Sequence, residues 1–441
     1  MKNVYIINYS VKGIKTLDQL VSMSFYKKTI DNDMDTTKYN VKGIYGANGS
    51  GKSAIITSIE ILKNLVTNPD YLNNPIVQNH LNEIINKKLG KLYMNIEYAI
   101  KLEEIVNIYS YEIELAKDNT GKYVISYECL TSKPKSKNSN NKHIHYEVKN
   151  GKLEKIEQIK NSISKSLEEK TINLLSTNTM SVLFMMKVYD GSIVVDSLVY
   201  SLLMLFVFGT KIHVYMDQSD EHREYLMNNF SGNNENQEYI KENIDKHIVN
   251  MESDNLYIIN ISDNNVSKKL YPLFEKKISN MYEFLHIFKP ELKDIEIDRR
   301  DNKQFYICDL IMVYDSYKIN AEFESTGIKK LIKLFAYIKE MANGGIVFVD
   351  EMDSNLHDVY LCALLEYLME YGEGQLCFTT HNVGPMDILK KNKKSIDFLS
   401  SDHLIYQWVK NGNYSPSNLY KSGMIEGSPF NIDAIDFIGI L

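Results

Sequence analysis

The period of the apolar positions divides the chain into segments. Between Val4 and Tyr26 apolar and polar residues alternate, which predicts one or two strands. Asn40-Val41-Lys42-Gly43-Ile44-Tyr45 is short and mostly apolar, as a buried strand would be, and residues 54–62 read as a helix. Three runs rich in Tyr, Ile and Val, at 92–100, 107–115 and 122–130, predict an antiparallel sheet, with Asp118-Asn119-Thr120-Gly121 as a turn. From about 151 to 288 the pattern is mainly helical, broken at Ser231-Gly232-Asn233-Asn234. Leu270, Leu273, Phe274, Ile278, Met281, Phe284 and Leu285 keep helical spacing and predict one long amphipathic helix over 266–288. Strands return at 294–297, 305–314 and 317–323, followed by a helix over 327–341 that Gly344-Gly345 ends. Residues 345–349 and 375–380 are continuous apolar runs on either side of a helix at 358–371. Such runs suit strands buried on both faces of a parallel sheet.

Gly46-Ala47-Asn48-Gly49-Ser50-Gly51-Lys52-Ser53 joins the predicted strand at 40–45 to the helix at 54–62. It fits G-x-x-x-x-G-K-[ST], a phosphate-binding loop. Glycines let backbone N–H groups wrap a triphosphate closely, and the following helix points its positive end at it. Lys52 should reach the β- and γ-phosphates, and the Ser53 hydroxyl should hold Mg²⁺. The competing reading is a glycine turn that binds nothing.

Hydrolysis also needs a magnesium-binding carboxylate and a group that handles the attacking water. Asp350 and Glu351 end the apolar run at 345–349: Asp350 suits the Mg²⁺ shell and Glu351 a general base. Alternatively they are an acidic pair closing a strand. His381 ends the next strand and can contact the γ-phosphate, or it is a solvated loop histidine. Ser325 and Gly327 open the helix before Asp350, as an anion site or as a simple N-cap by Ser325 or Thr326.

Composition narrows the class. A length of 441 residues suits two or three domains, or one carrying a large insertion. A net charge of −7 argues against a chain coated in nucleic acid, and leaves only local basic stretches at 132–143 and 390–394. Cys129, Cys308, Cys362 and Cys377 are scattered, which points to a reducing compartment and away from a structural zinc site. The other carboxylate clusters form no second metal site, so no intrinsic nuclease is expected. The N-terminus lacks a signal-peptide pattern. The apolar run at 192–209 is interrupted by Asp196 and is too short to span a bilayer, so a buried helix, no membrane contact and a cytoplasmic location are expected.

The order of these motifs resembles the ABC-type ATPases of the RecF, SMC and OLD (overcoming lysogenization defect) group, most of all the small ATPases of bacterial anti-phage systems. Tyr45 to Ser53 is similar to their Walker A. Asp350-Glu351-Met352-Asp353-Ser354-Asn355-Leu356-His357 is similar to their Walker B with its D-loop. His381 matches their switch histidine, and Phe323-Glu324-Ser325-Thr326-Gly327 their signature, with Ser-Thr-Gly in place of Ser-Gly-Gly. Residues 401–406 and 417–420 resemble the end of such domains, and Gln78 is a weak candidate for the glutamine loop.

The resemblance implies an α/β fold: a P-loop head with a mixed or parallel sheet, an antiparallel β lobe and a mainly helical insertion. It divides the chain into an N-terminal lobe (1–130), a helical arm for partners (131–290) and a C-terminal lobe (291–441). It implies ATP and Mg²⁺ as cofactors and a homodimer, or a larger assembly of dimers, in which Ser325 and Gly327 act on the ATP of the other subunit. It also implies an effector protein encoded nearby, a phage-encoded trigger, and nucleic acid as an open question. The alternatives are a RecF- or Rad50-like DNA-repair ATPase, a transporter ATPase, or a non-catalytic scaffold that uses ATP to dimerise.

Overall fold

The computed structural model describes residues 4–27, 30, 34–102, 105–133, 142–157, 174–188, 196–216, 259–303, 305–409 and 414–428. In chain order, β1 (Val4–Lys12) and β2 (Val21–Ser24) precede β3 (Val41–Tyr45), which feeds α1 (Lys52–Thr67). After α2 (Pro75–Ile84) come β4 (Lys91–Leu102), β5 (Ile105–Lys117), β6 (Tyr123–Lys133), β7 (His143–Lys149) and β8 (Lys152–Ile156). Then follow α3 (Met180–Leu183), α4 (Ser197–Lys211), β9 (Ile212–Tyr215), β10 (Asn264–Ser267) and α5 (Tyr271–Phe288). β11 (Asp294–Asn302), β12 (Phe305–Val313), β13 (Lys318–Asn320) and α6 (Thr326–Ala342) lead to β14 (Ile346–Val349). The described chain closes with α7 (Asp358–Tyr371), β15 (Gln375–Thr379), α8 (Met386–Leu389), β16 (Ile396–Leu399), β17 (Ile405–Gln407) and α9 (Pro416–Lys421).

These strands make three sheets. The central one has the order β17-β16-β3-β15-β14-β9 and is parallel except for β17. Every residue of β3, β14, β15, β16 and β9 is buried, as the continuous apolar runs required. A seven-stranded antiparallel sheet, β2-β1-β4-β5-β6-β7-β8, forms the second lobe. Gln375 joins the two: its Oε1 accepts from Ile6 N at 2.9 Å and its Nε2 donates to Ile6 O. Across the same join, Phe25 meets Phe348 edge to face. A small antiparallel sheet of β10, β12, β11 and β13 carries α5, whose Phe274, Ile278, Met281 and Leu285 fill a third core together with Ile328 and Leu331 of α6.

Among the described residues, the stretch 131–290 holds strands as well as helices. β7 and β8 extend the antiparallel lobe, and α4 leads directly into β9, an edge of the central sheet beside β14. The apolar run is therefore head core. α4 is buried almost throughout, and its Gly209 lies so close to α1 that a Cβ there would come 2.4 Å from Val66 Cγ2. The helix expected over 266–288 begins at Tyr271 because Pro272 fits only a first turn, and Val266 belongs to β10. The strand expected over 317–323 stops at Asn320, whose side chain accepts from Glu322 N and turns the chain into a 3-10 helix over Ala321–Phe323. Most of the basic stretch at 132–143 and the break at Ser231 lie outside the described residues. Among the described residues no helix is long and apolar enough to cross a membrane.

Glu128 stands wholly buried in the second lobe, accepting from Tyr111 Oη at 3.0 Å, Tyr146 Oη at 2.7 Å and Met180 N. Burial pushes its carboxyl up to about 7 from an ordinary 4.5, against those hydrogen bonds. Between those values the unfolded chain loses its proton first, so stability falls as pH rises. The full penalty, roughly 3 kcal/mol at about 1.4 kcal/mol per pH unit, is present above pH ~7. Urea midpoints should drop between pH 5 and 7.5, and Glu128→Gln should flatten that slope; equal slopes in both proteins would remove Glu128 as the cause.

Candidate active site

The loop after β3 is shaped by close approach. A Cβ on Gly46 would lie 2.5 Å from the backbone oxygen of Leu399, and Gly51 holds φ 103°, where a side chain is strained, so both positions favour glycine. Gly51, at φ 103°, caps α1 with no side-chain hydrogen bond, and no acidic residue sits in the first turn. The first N–H groups of α1 therefore stay available to an anion. Lys52 is buried and folds back over the loop, its Nζ donating to Gly46 O at 2.8 Å and Ala47 O at 3.0 Å. Ser50 Oγ is buried and unpartnered. An uncapped helix start, a buried ammonium and an orphaned hydroxyl fit a bound phosphate group.

One strand, β15, separates β3 from β14, so the loop and the end of β14 open on the same carboxyl edge of the sheet, where ligands of parallel sheets bind. Thr379, the last residue of β15, links the two carboxylate positions. Its Oγ1 donates to Asp350 Oδ1 at 2.5 Å and accepts from Glu351 N at 2.8 Å. Asp350 is buried and Glu351 exposed. Glu351 holds φ 47°, the left-handed region, which costs a non-glycine residue of order 1 kcal/mol or more. Bonds on both sides hold it there: Thr379 at its N–H, and Lys330 Nζ at its carbonyl at 3.2 Å. Lys330 also donates to Ser354 Oγ at 2.7 Å and lies 4.7 Å from the centre of the Tyr215 ring, so α6 braces the turn after β14.

Charge links these groups into one site. Burial lowers the Lys52 pKa, opposed by Asp350, Glu351 and Asp353. Burial first, and then Lys52, lower the His381 pKa against the same three carboxylates. The imidazole is therefore mainly neutral at pH 7 and able to donate to or accept from a phosphate oxygen or water. The loop bearing it is fixed by Asn382, which accepts from Gly384 N and donates to Asp358. Ser53 sits at the start of α1 on the same edge, so its hydroxyl and the Asp350 carboxylate are the donors suited to Mg²⁺.

Ser325 and Gly327 open α6. Ser325 caps α6, accepting from Ile328 N at 3.4 Å, and a Cβ on Gly327 would lie 2.8 Å from Asn355 O of the D-loop. Gln78 is not a glutamine loop here, since its amide is spent clamping β6: it accepts from Tyr123 N and donates to Tyr123 O and Leu72 O. Asn48 and Gly49 line the loop, exposed. Three residues had no site role in the sequence reading. Asp353 keeps a buried, unpartnered Oδ1. Lys330 braces the turn after β14. Tyr420 rests its phenol oxygen against the Gly46 N–H and stacks on Phe398, with burial pushing its hydroxyl up to about 12. A lone lysine in an amphipathic helix carries no pattern that marks it, and the resemblance at 417–420 assigns Tyr420 no role.

Strand order, phosphate loop and carboxylate strand together define an α/β fold with a phosphate-loop site at the carboxyl edge of a parallel sheet. No protein-family model matches the chain, and no curated protein matches it. Among solved structures it is similar to the SMC head domain from Thermotoga maritima, at 14% identity and TM-score 0.35, over 92% of this chain and 100% of that one. It is similar to an Smc head domain with a coiled coil and joint derived from Pyrococcus yayanosii, at 12% and 0.45, over 96% and 100%. The recombination mediator protein RecF bound to ATPrS matches at 12% and 0.40, over 92% and 98%.

Proposed function

We propose that this chain binds and hydrolyses ATP with Mg²⁺, closes as a dimer around two ATP molecules, and regulates a separate effector, such as a nuclease, in an anti-phage defence system. The observation that carries the ATPase reading is the clustering of Lys52, Asp350, Glu351, Asp353 and His381 at one sheet edge, each shifted by or acting on the others' charge. In this reading the α1 N–H groups and Lys52 hold the phosphates. Glu351 takes the proton from the attacking water, and neutral His381 orients that water or the γ-phosphate. Mg²⁺ held by Ser53 and Asp350 would neutralise charge on the transferred group. Ser325 and Gly327, at the start of α6, are offered to the second subunit, and exposure of Ser325 and Thr326 supports that.

The defence role rests on the resemblance of the motif order. It gains from the second basic stretch: Lys390 pairs with Asp387 and Lys391 with Glu366, which lowers the charge this run offers to a nucleic acid. Two measurements test the proposal. ATP turnover per molecule should rise with enzyme concentration, and constancy on dilution below dimerisation would overturn the two-subunit site. A pull-down from the native operon should bring a neighbour-encoded protein. A lone dimer whose turnover DNA stimulates, with steep salt dependence, would replace the defence reading with a repair one.

A further inference from the structure

A second cluster lies in the antiparallel lobe, away from the phosphate loop. His143 and His145 lie on β7, and a register shift against β6 at this point brings their rings together. Glu157 follows β8, and its N–H donates to His145 O at 2.8 Å, extending the hairpin by one pair. Its carboxylate lies between the two rings: Oε1 is 3.1 Å from His143 Nε2 and Oε2 2.8 Å from His145 Nδ1. The rings meet edge to face, 4.8 Å between centres. One donor atom from each of the three residues falls within 4.8 Å of the others.

We infer that His143, His145 and Glu157 form a site for a divalent transition-metal ion of the zinc class. The donor set decides the class. Two imidazole nitrogens and one carboxylate suit Zn²⁺, Co²⁺ or Fe²⁺, whereas Mg²⁺ and Ca²⁺ prefer oxygen alone. The spacing fits as well. Ligand atoms at ~2.0–2.1 Å from a tetrahedral ion lie about 3.3 Å from one another, and one donor atom of each residue already lies within 4.8 Å of the others, so small side-chain rotations would close the set on an ion. The ring of His145 is held from outside the trio: Ser132 Oγ of β6 lies 2.9 Å from its Nε2, and Ser201 Oγ of α4 3.2 Å. Such outer hydroxyls fix ring orientation in metal sites. His145 is buried, while the His143 side chain is half-exposed, which gives an ion a route in. Three protein ligands leave a position for water. A bound ion would join β7, the end of β8 and, through Ser201, α4 of the head core. The sequence reading missed this trio because it weighed cysteine spacing and carboxylate clusters, and here two histidines of one strand meet a glutamate from the next.

The test uses the whole chain stripped with a chelator and kept in excess Mg²⁺, so that all-oxygen sites are filled. Titration with Co²⁺ should give visible d–d absorption at one equivalent per chain, and Zn²⁺ should displace it. His143→Ala removes a half-exposed ring and Glu157→Gln keeps the side-chain shape, so both should fold, as circular dichroism will check. Each should weaken Zn²⁺ binding by at least about tenfold. Zn²⁺ should also raise the unfolding temperature of the parent protein and not that of the variants. No Co²⁺ or Zn²⁺ binding in excess Mg²⁺, or binding that both variants retain in full, would overturn the assignment.

Discussion

Glu351→Gln should lower ATP turnover by about 10²–10⁴-fold, the usual contribution of a positioned general base, and leave ATP binding intact. The substitution is nearly isosteric, and the backbone that positions residue 351 is held by Thr379 and Lys330 through main-chain groups that Gln retains. Glu351 is exposed, so no buried carboxylate partner is orphaned. The contacts of Lys52 with the loop carbonyls are likewise untouched. Binding and chemistry should therefore separate. The affinity for a fluorescent ATP analogue should stay within a few-fold while phosphate release nearly stops. With hydrolysis blocked, the ATP-bound dimer should accumulate and become visible by gel filtration. Unchanged turnover would remove Glu351 from its role, and lost binding would mean that the variant reports structure instead of chemistry.

The same arrangement shows why some of the site was legible in the sequence and some was not. Glycine spacing and a lysine beside it announce a phosphate loop because few backbones can approach a phosphate. An apolar strand ending in Asp350 and Glu351 is equally marked, because charges at the end of a buried strand stand out. The register that links them was not written locally. It depends on β15 lying between β3 and β14, and on Thr379 bonding both acidic positions. The strands within 131–290 were missed for a related reason. α4 is apolar all round because it is packed all round, and a four-residue strand such as β9 has no period of its own. Only the parallel register with β14 gives it meaning. The two-layer division into a parallel and an antiparallel sheet was readable. The handover at Gln375, whose amide closes on both backbone groups of Ile6, was not.

Lys42→Met should destabilise the protein by about 3–5 kcal/mol, the usual cost of removing one partner from a buried ion pair. Lys42 lies in β3, immediately before the phosphate loop, and the burial that marks this strand extends to its charge. Its side chain is 2% exposed and that of Asp397, on β16, 0%, with Nζ 2.7 Å from Oδ2. The ammonium also lies 5.4 Å from the centre of the Phe25 ring. Methionine replaces the stem and fills the space, so the loss is chiefly electrostatic: among the described residues Asp397 is left with the Gln407 amide, at 3.2 Å. The double variant Lys42→Met/Asp397→Leu should recover most of the loss, because an apolar pair avoids the desolvation that the ion pair must offset. Chemical denaturation of the two single variants and the double variant measures the coupling directly. Additive effects would show that the two charges do not stabilise one another. A large coupling with full ATP affinity in the double variant would assign the pair to holding β3 against β16. Lost affinity in a well-folded double variant would show that this pair also sets the height of the phosphate loop.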